Sequence, residues 1–176
     1  MIEIPFEGFT GEYIRAHEQR EIQVFLARHH KLFGDTLDYG CGRVGTCREP
    51  EHYRGMVEEF GGTYVGYDLG DPEPERQFDT VLCVQVIQYA ESVEGMFAEI
   101  DGFLLPEGHL VIIYPAAWPC SELTDRRRLT GPGMWKLVRS FGFEPAVHDE
   151  LVVLGISGFQ LPLVYGMVAK KMTGLA

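Results

Sequence analysis

Gly40-x-Gly42-x-x-Gly45 is the stretch of this 176-residue chain whose residue types and spacing could do chemistry. Glycines this close together let a backbone turn tightly and lay its amide groups against a ligand, where side chains would intrude. The short run Thr36-Leu37-Asp38-Tyr39 leads into them and reads as a strand. A second strand, Thr63 to Leu69, contains Asp68 near its end. A carboxylate there can accept both hydroxyls of an adenosine ribose. The pattern describes either a site for an adenosine-bearing ligand or a tight structural turn.

NAD and S-adenosylmethionine both carry such a ribose, so these residues alone do not choose between them. Three features favour S-adenosylmethionine. Asp38 precedes the glycines, where its charge would repel a pyrophosphate but suits the cationic amino group of a methionine moiety. Pro50 implies that the next helix starts well after the glycines, so its amino terminus is poorly placed for a pyrophosphate. A dehydrogenase also usually needs further chain for its substrate, whereas this sequence closes on a hairpin.

The elements that must position these residues follow from periodicity. Ile22, Phe25, Leu26 and His29 recur at helical spacing within a helix expected over 10–33. Tyr53, Met56, Val57 and Phe60 mark a second helix, closed by Gly61-Gly62. Residues 70–79 read as an acidic loop and Val81–Ile87 as a strand. Ser92 caps a helix whose buried stripe is Val93, Met96, Phe97, Ile100, Phe103 and Leu104. Pro106-Glu107-Gly108 turns the chain into the strand His109–Tyr114. A long loop, 115–131, precedes a last helix marked by Met134, Leu137, Val138 and Phe141, and 143–171 reads as two strands. Strands alternating with helices imply an α/β fold, a Rossmann-like, mostly parallel sheet covered by helices on both faces. The last two strands, with no helix between them, form a C-terminal antiparallel hairpin expected at one edge. One domain spans 1–176, with 1–34 a helical segment packed on it.

Composition narrows the function. Fifteen Lys and Arg against 26 Asp and Glu give a net charge of −11, which argues against nucleic acid and anionic membranes as partners. Cys41, Cys47, Cys83 and Cys120 form no C-x-x-C pair, and no histidine has a ligand-like partner, so no metal is expected. No basic-then-apolar leader opens the chain, which points to the cytoplasm. Leu151–Ala169 holds 19 uncharged residues but is broken by Gly155, Gly158, Pro162 and Gly166. It reads as two strands around a turn rather than a membrane span.

With these residues assembled, the chain resembles a class I S-adenosylmethionine-dependent methyltransferase, close to the type 11 group, from about Tyr13 to Lys171. TLDYGCG (36–42) resembles the family's first motif, and HYRGMVEEFGGTYVGYDL (52–69) its helix and second strand. FDTVLCVQVIQYAES (78–92) is similar to the motif that closes over adenine and methionine. FLLPEGHLVIIYP (103–115) and DRRRLT (125–130) followed by GFEP (142–145) resemble later segments. The resemblance implies S-adenosylmethionine as cofactor, held by Asp38, Gly40, Cys41, Gly42, Asp68, Leu69, Val84 and Gln85. It implies a small-molecule acceptor, such as a sugar or other metabolite, methylated by in-line displacement. Acceptor-site candidates are Gln88, Tyr89, Tyr114, Trp118, Asp125 and Arg128.

Two departures matter. Only about ten residues join Asp68 to Asp79, where the family has a helix and a third strand. The family's sheet order is 3-2-1-4-5-7-6, so an edge strand is lost and the second strand becomes an edge, which a homodimer or a crossing loop would cover. Gly70-Asp71 would then supply the adenine-side acid. Gln88-Tyr89 also stands where the family often has an acid and a histidine, so a general base is missing. That favours acceptors already nucleophilic, such as a carboxylate or thiolate, or a catalytically silent binding module. A nicotinamide-dependent oxidoreductase is the remaining alternative.

Overall fold

The computed structural model describes residues 2–5, 11–42, 52–68, 70–116, 130–156 and 159–173. Seven strands make one sheet: β1 Ile2–Pro5, β2 Asp35–Tyr39, β3 Thr63–Tyr67, β4 Phe78–Val84, β5 Leu104–Pro115, β6 Phe143–Ile156 and β7 Phe159–Lys171. Their order is β1-β6-β7-β5-β4-β2-β3. All pairings are parallel except those of β7, which runs antiparallel to both β5 and β6. Helices α1 Gly11–Arg28, α2 Arg54–Glu59, α3 Val93–Phe103 and α4 Gly131–Ser140 cover the two faces.

Side-chain alternation along each strand divides the core into two layers. Val81 and Cys83 of β4 join Ile112 and Met167 beneath Phe97 of α3 and Val138 of α4. Leu82 and Val84 point the other way, with Val111 and Val168, to meet Phe25 and Leu26 of α1 and Val57 of α2. The first layer is the richer in aromatic contacts: Phe97 stacks on Phe141 at 4.6 Å and tilts against Phe143. On the second, α1 comes so close to β7 that a Cβ on Gly166 would stand 2.9 Å from the Phe25 ring. Caps set two helix starts, of which Ser92 was read from the sequence and Thr130 was not. Ser92 Oγ accepts from Gly95 N, and Thr130 Oγ1 accepts from Gly133 N.

Apart from the added β1, the sheet order is the one that the resemblance implies without its third strand, so β3 is an edge. The connection from β3 to β4 runs beside α3 instead of across that edge. Gln77 Nε2 donates to the carbonyls of Gly102 and Leu104, and Arg76 pairs with Asp35 at 3.0 Å while lying over the Phe78 ring. Among the described residues no strand pairs with the outer side of β3.

Four expectations need correction. The hairpin of β6 and β7 is not an edge, because β1 pairs outside β6, from Ile2 with Val152 to Pro5 with Gly155. The first 34 residues are therefore not wholly helical; a four-residue strand carries too short a pattern to read. The strand expected at 81–87 lies at 78–84, because Gln85 leaves the extended region (φ 58) and Ile87–Tyr89 forms a 3-10 turn. Pro106-Glu107-Gly108 kinks β5 without ending it. Glu107 has φ 64, and the pairing with β4 shifts register between Phe78 and Thr80.

Replacing Phe97 with alanine removes the ring that ties α3 to Phe141 and Phe143, and should cost about 3–5 kcal/mol. Urea unfolding followed by circular dichroism measures this; a loss under about 1 kcal/mol would show that the layer repacks.

Candidate functional site

In a parallel α/β sheet, ligands bind beyond the carboxyl ends of the strands, where neighbouring connections leave in opposite directions. That point lies here between β2 and β4: the chain leaves β2 toward β3 on one side and returns to β4 on the other. Gly40 and Gly42 follow β2 with φ values of 74° and 85°, which side chains rarely adopt. The amides of Gly40 and Cys41 both donate to the carbonyl of Tyr67, at 2.7 and 3.2 Å, pinning the turn to the end of β3. A Cβ on Gly40 would lie 2.5 Å from Val86 Cγ2. The glycine turn and the turn after β4 are thus in contact, and only glycine permits it. Gly45 lies outside the described residues.

Asp68 stands at the next strand end. Its amide donates to Asp71 Oδ2 and its carbonyl accepts from Asp71 N, both at 2.9 Å. Asp71, expected to replace an adenine-side acid, thus closes the turn that presents Asp68. Asp38 is completely buried one residue before the turn, and its Oδ2 accepts the Tyr64 hydroxyl at 2.7 Å. Cys41 is also buried, with its thiol toward the Gly42 carbonyl at 3.8 Å. The Val84 side chain, expected at the cofactor, instead packs with α1, because the last β4 residue points into the second core layer.

Beyond Val84 the chain makes a polar turn. Gln85 has a left-handed backbone, which costs a non-glycine residue about 1–3 kcal/mol and is held only where the surroundings enforce it. Its amide donates to Ile113 O at 2.8 Å. Its side chain reaches Glu18 of α1 and accepts from Gln88. Gln88, an acceptor-site candidate, is only 3% exposed, whereas Tyr89 is 38% exposed at the same turn. Glu18 was missed by sequence reasoning, since nothing local distinguishes it from other helix-surface acids.

Tyr114 corrects a second expectation. Read as a rim residue, it is fully buried in the first core layer, because its position alternates with Ile113 and points toward α4. Its Oη and His148 Nε2 share a hydrogen bond of 2.8 Å, and its ring stacks on Tyr165. Burial raises the Tyr114 hydroxyl far above its ordinary range. His148 lies on β6, and this pairing joins that strand to β5. Leu69, Trp118, Asp125 and Arg128 lie outside the described residues. Among the described residues no three His, Cys, Asp or Glu side chains are grouped to hold a metal, and no helix is long and apolar enough to cross a membrane. An open cavity of about 330 Å³, lined by Lys31, Asp79, Glu107 and His109, lies at the opposite rim. There Asp79 already accepts from Asp35 N and Glu107 pairs with Lys170.

The comparisons with known proteins agree with this architecture. Residues 51–112 match the family model of a methyltransferase domain. The chain is 27% identical over 152 residues to the sterol 24-C-methyltransferase ERG6B of Gibberella zeae, an alignment covering 75% of this chain and 38% of that protein. The chain thus spans well under half the length of that curated relative. An S-adenosylmethionine-dependent methyltransferase from Archaeoglobus fulgidus superposes with a TM-score of 0.63 at 13% identity, over 92% of this chain and 100% of that one. The Burkholderia thailandensis 1,6-didemethyltoxoflavin-N1-methyltransferase, solved with its substrate and S-adenosylhomocysteine, does so with a TM-score of 0.56 at 18% identity. Coverage there is 92% of this chain and 86% of that one. These structural likenesses show the fold. The matched family segment lies within that same fold, from α2 to β5.

The histidines make a pH prediction. Burial holds His148 below its ordinary value, against the raising influence of Asp149 and Glu150. Burial also lowers His29 and His109. A folded value below the unfolded one favours the neutral ring. Its stabilisation is complete above the unfolded value, about 6.5, and is lost as pH falls through the folded value. The thermal unfolding midpoint should therefore drop on going from about pH 7.5 to about 5.5, and His148→Gln should flatten that slope. An identical slope in the variant would remove His148 from this account.

Proposed function

We propose that the chain binds S-adenosylmethionine across the glycine turn and transfers its methyl group to a small-molecule acceptor. The observation that carries this reading is the contact between the Gly40 turn and the turn after β4, with Asp68 presented one strand away. The residues present fit the cofactor. Gly40 and Gly42 would face it with bare backbone, Asp68 would accept from the ribose hydroxyls, and Gln85 and Gln88 would line its far end. When bound, S-adenosylmethionine supplies a methyl group made electrophilic by a cationic sulfur.

The chain's own part is to hold an acceptor in line with that methyl and exclude water. Positioning of this kind can lower a barrier by roughly 7–11 kcal/mol. The exposed ring of Tyr89 would border the space where an acceptor lies. A sugar or another metabolite carrying a nucleophilic group is the class this reading favours, in a cytoplasmic setting. The rival reading is a silent binding module, motivated by the short connection from β3 to β4.

Calorimetric titration with S-adenosylhomocysteine separates the two. The parent chain should bind, and Asp68→Ala should lose about 1.5–3 kcal/mol, roughly 10–150-fold in affinity. No binding at millimolar ligand would end the enzyme reading. A homodimer through the outer edge of β3 completes the proposal, since pairing there would cover an open strand. Sedimentation equilibrium should then give twice the chain mass, and Val65→Pro, which removes a strand amide, should give a single chain's mass. A monomeric parent would reject the dimer.

A further inference from the structure

One peptide unit, between Tyr67 and Asp68, is held from both of its sides. Its oxygen, the Tyr67 carbonyl, accepts the amides of Gly40 and Cys41 at 2.7 and 3.2 Å. Its nitrogen, the Asp68 amide, donates to Asp71 Oδ2 at 2.9 Å. In a trans peptide these two groups point in opposite directions. The glycine turn therefore grips the unit on one side and the Asp71 carboxylate grips it on the other.

Asp71 reaches the Asp68 amide because the chain reverses between them. Asp71 N donates to Asp68 O at 2.9 Å, which closes a four-residue turn, and Gly70, its third residue, has φ 87°. Glycine meets a positive φ at that position without steric penalty. The turn carries the Asp71 side chain back over Asp68, so two hydrogen bonds of opposite sense tie the residues together. Such a lock matters at this place. The last pair between β2 and β3 is Tyr39 with Tyr67, so Asp68 stands just past the ladder that fixes the strand.

We infer that Asp71 is a positioning residue for nucleoside binding: its carboxylate orients the Asp68 backbone so that the Asp68 carboxylate meets both ribose hydroxyls. The inference rests on the cofactor reading above and gives Asp71 a part other than contact with adenine. Hydroxyls on adjacent ribose carbons are a pair of donors with fixed spacing. A carboxylate takes both only when it is aligned with them, because hydrogen bonds weaken steeply as their angles close. Rotation of the backbone at Asp68 would leave one hydroxyl unmatched. The bond that opposes this rotation runs from an amide to a carboxylate, and the charge on its acceptor makes it one of the stronger kinds.

Titration calorimetry of S-adenosylhomocysteine into the full chain and its variants tests this. Asp71→Ala should weaken binding about tenfold. Asp71→Asn removes the same charge but keeps an oxygen for the Asp68 amide, and should stay within about threefold of the parent. In an Asp68→Ala background, adding Asp71→Ala should cost less than about twofold, because nothing is left to position. Thermal unfolding of each variant, expected to match the parent, checks that the fold is intact. Three results would overturn the role given to Asp71: Asp71→Ala binding like the parent, Asp71→Asn as weak as Asp71→Ala, or an equal loss from Asp71→Ala with and without Asp68. Failure of S-adenosylhomocysteine to bind the parent chain would instead reject the cofactor reading on which the inference depends.

Discussion

The site depends on the contact of Gly40 with Val86. The sheet reverses its strand order between β2 and β4, and the two turns that leave these strands meet there. A Cβ on Gly40 would stand 2.5 Å from a Val86 methyl, inside any real contact, and the glycine's φ of 74° already excludes most other residues. Because the turns touch, the Tyr67 carbonyl can take both the Gly40 and Cys41 amides, and Asp68 is brought beside them. Val86 can be there only because Gln85 holds a left-handed backbone, and Gln85 is held in turn by Glu18 and Gln88. A clash at one glycine would displace each of these in sequence.

The margin of the sheet at β3 is tolerable for a related reason: no pairing inside the sheet needs a strand beyond it. The connection from β3 to β4 covers the face beside α3, through Gln77 and Arg76, and among the described residues nothing pairs with the outer edge of β3. The opposite edge is treated differently. There β1 extends the sheet beyond β6, so the antiparallel hairpin is flanked on both sides. The open edge is thus confined to one margin of the sheet.

Much of this fold was legible in the residues. The helical stripe of Met96, Phe97 and Ile100, the cap at Ser92, and the glycines ending β2 are local patterns whose physics acts within a turn or two. The misread residues are those whose neighbours along the chain do not determine their surroundings. Tyr114 ends an apolar strand and looks like a rim residue, yet alternation turns it into the layer beneath α4, where His148, 34 residues away, takes its hydroxyl. Val84 precedes a ligand-facing turn but belongs to the core for the same reason. Asp38, read as a contact for a cation, is buried and accepts the hydroxyl of Tyr64, a partner 26 residues away that its neighbours do not announce.

By itself, the sequence determined the class of fold, the glycine turn and the acid one strand away. The glycines and the acid rest on spacing that the backbone imposes locally: a period of two or 3.6, and a glycine where φ must be positive. Tertiary structure alone decided that β1 extends the sheet beyond β6 and that a carboxylate from α1 meets the turn after β4. Glu18 and Gln85 are 67 residues apart, and the packing of α1 on the second face, with Phe25 against Gly166, brings them together. A contact made by packing leaves no periodic trace in the chain, so the two residues could be read and their meeting could not.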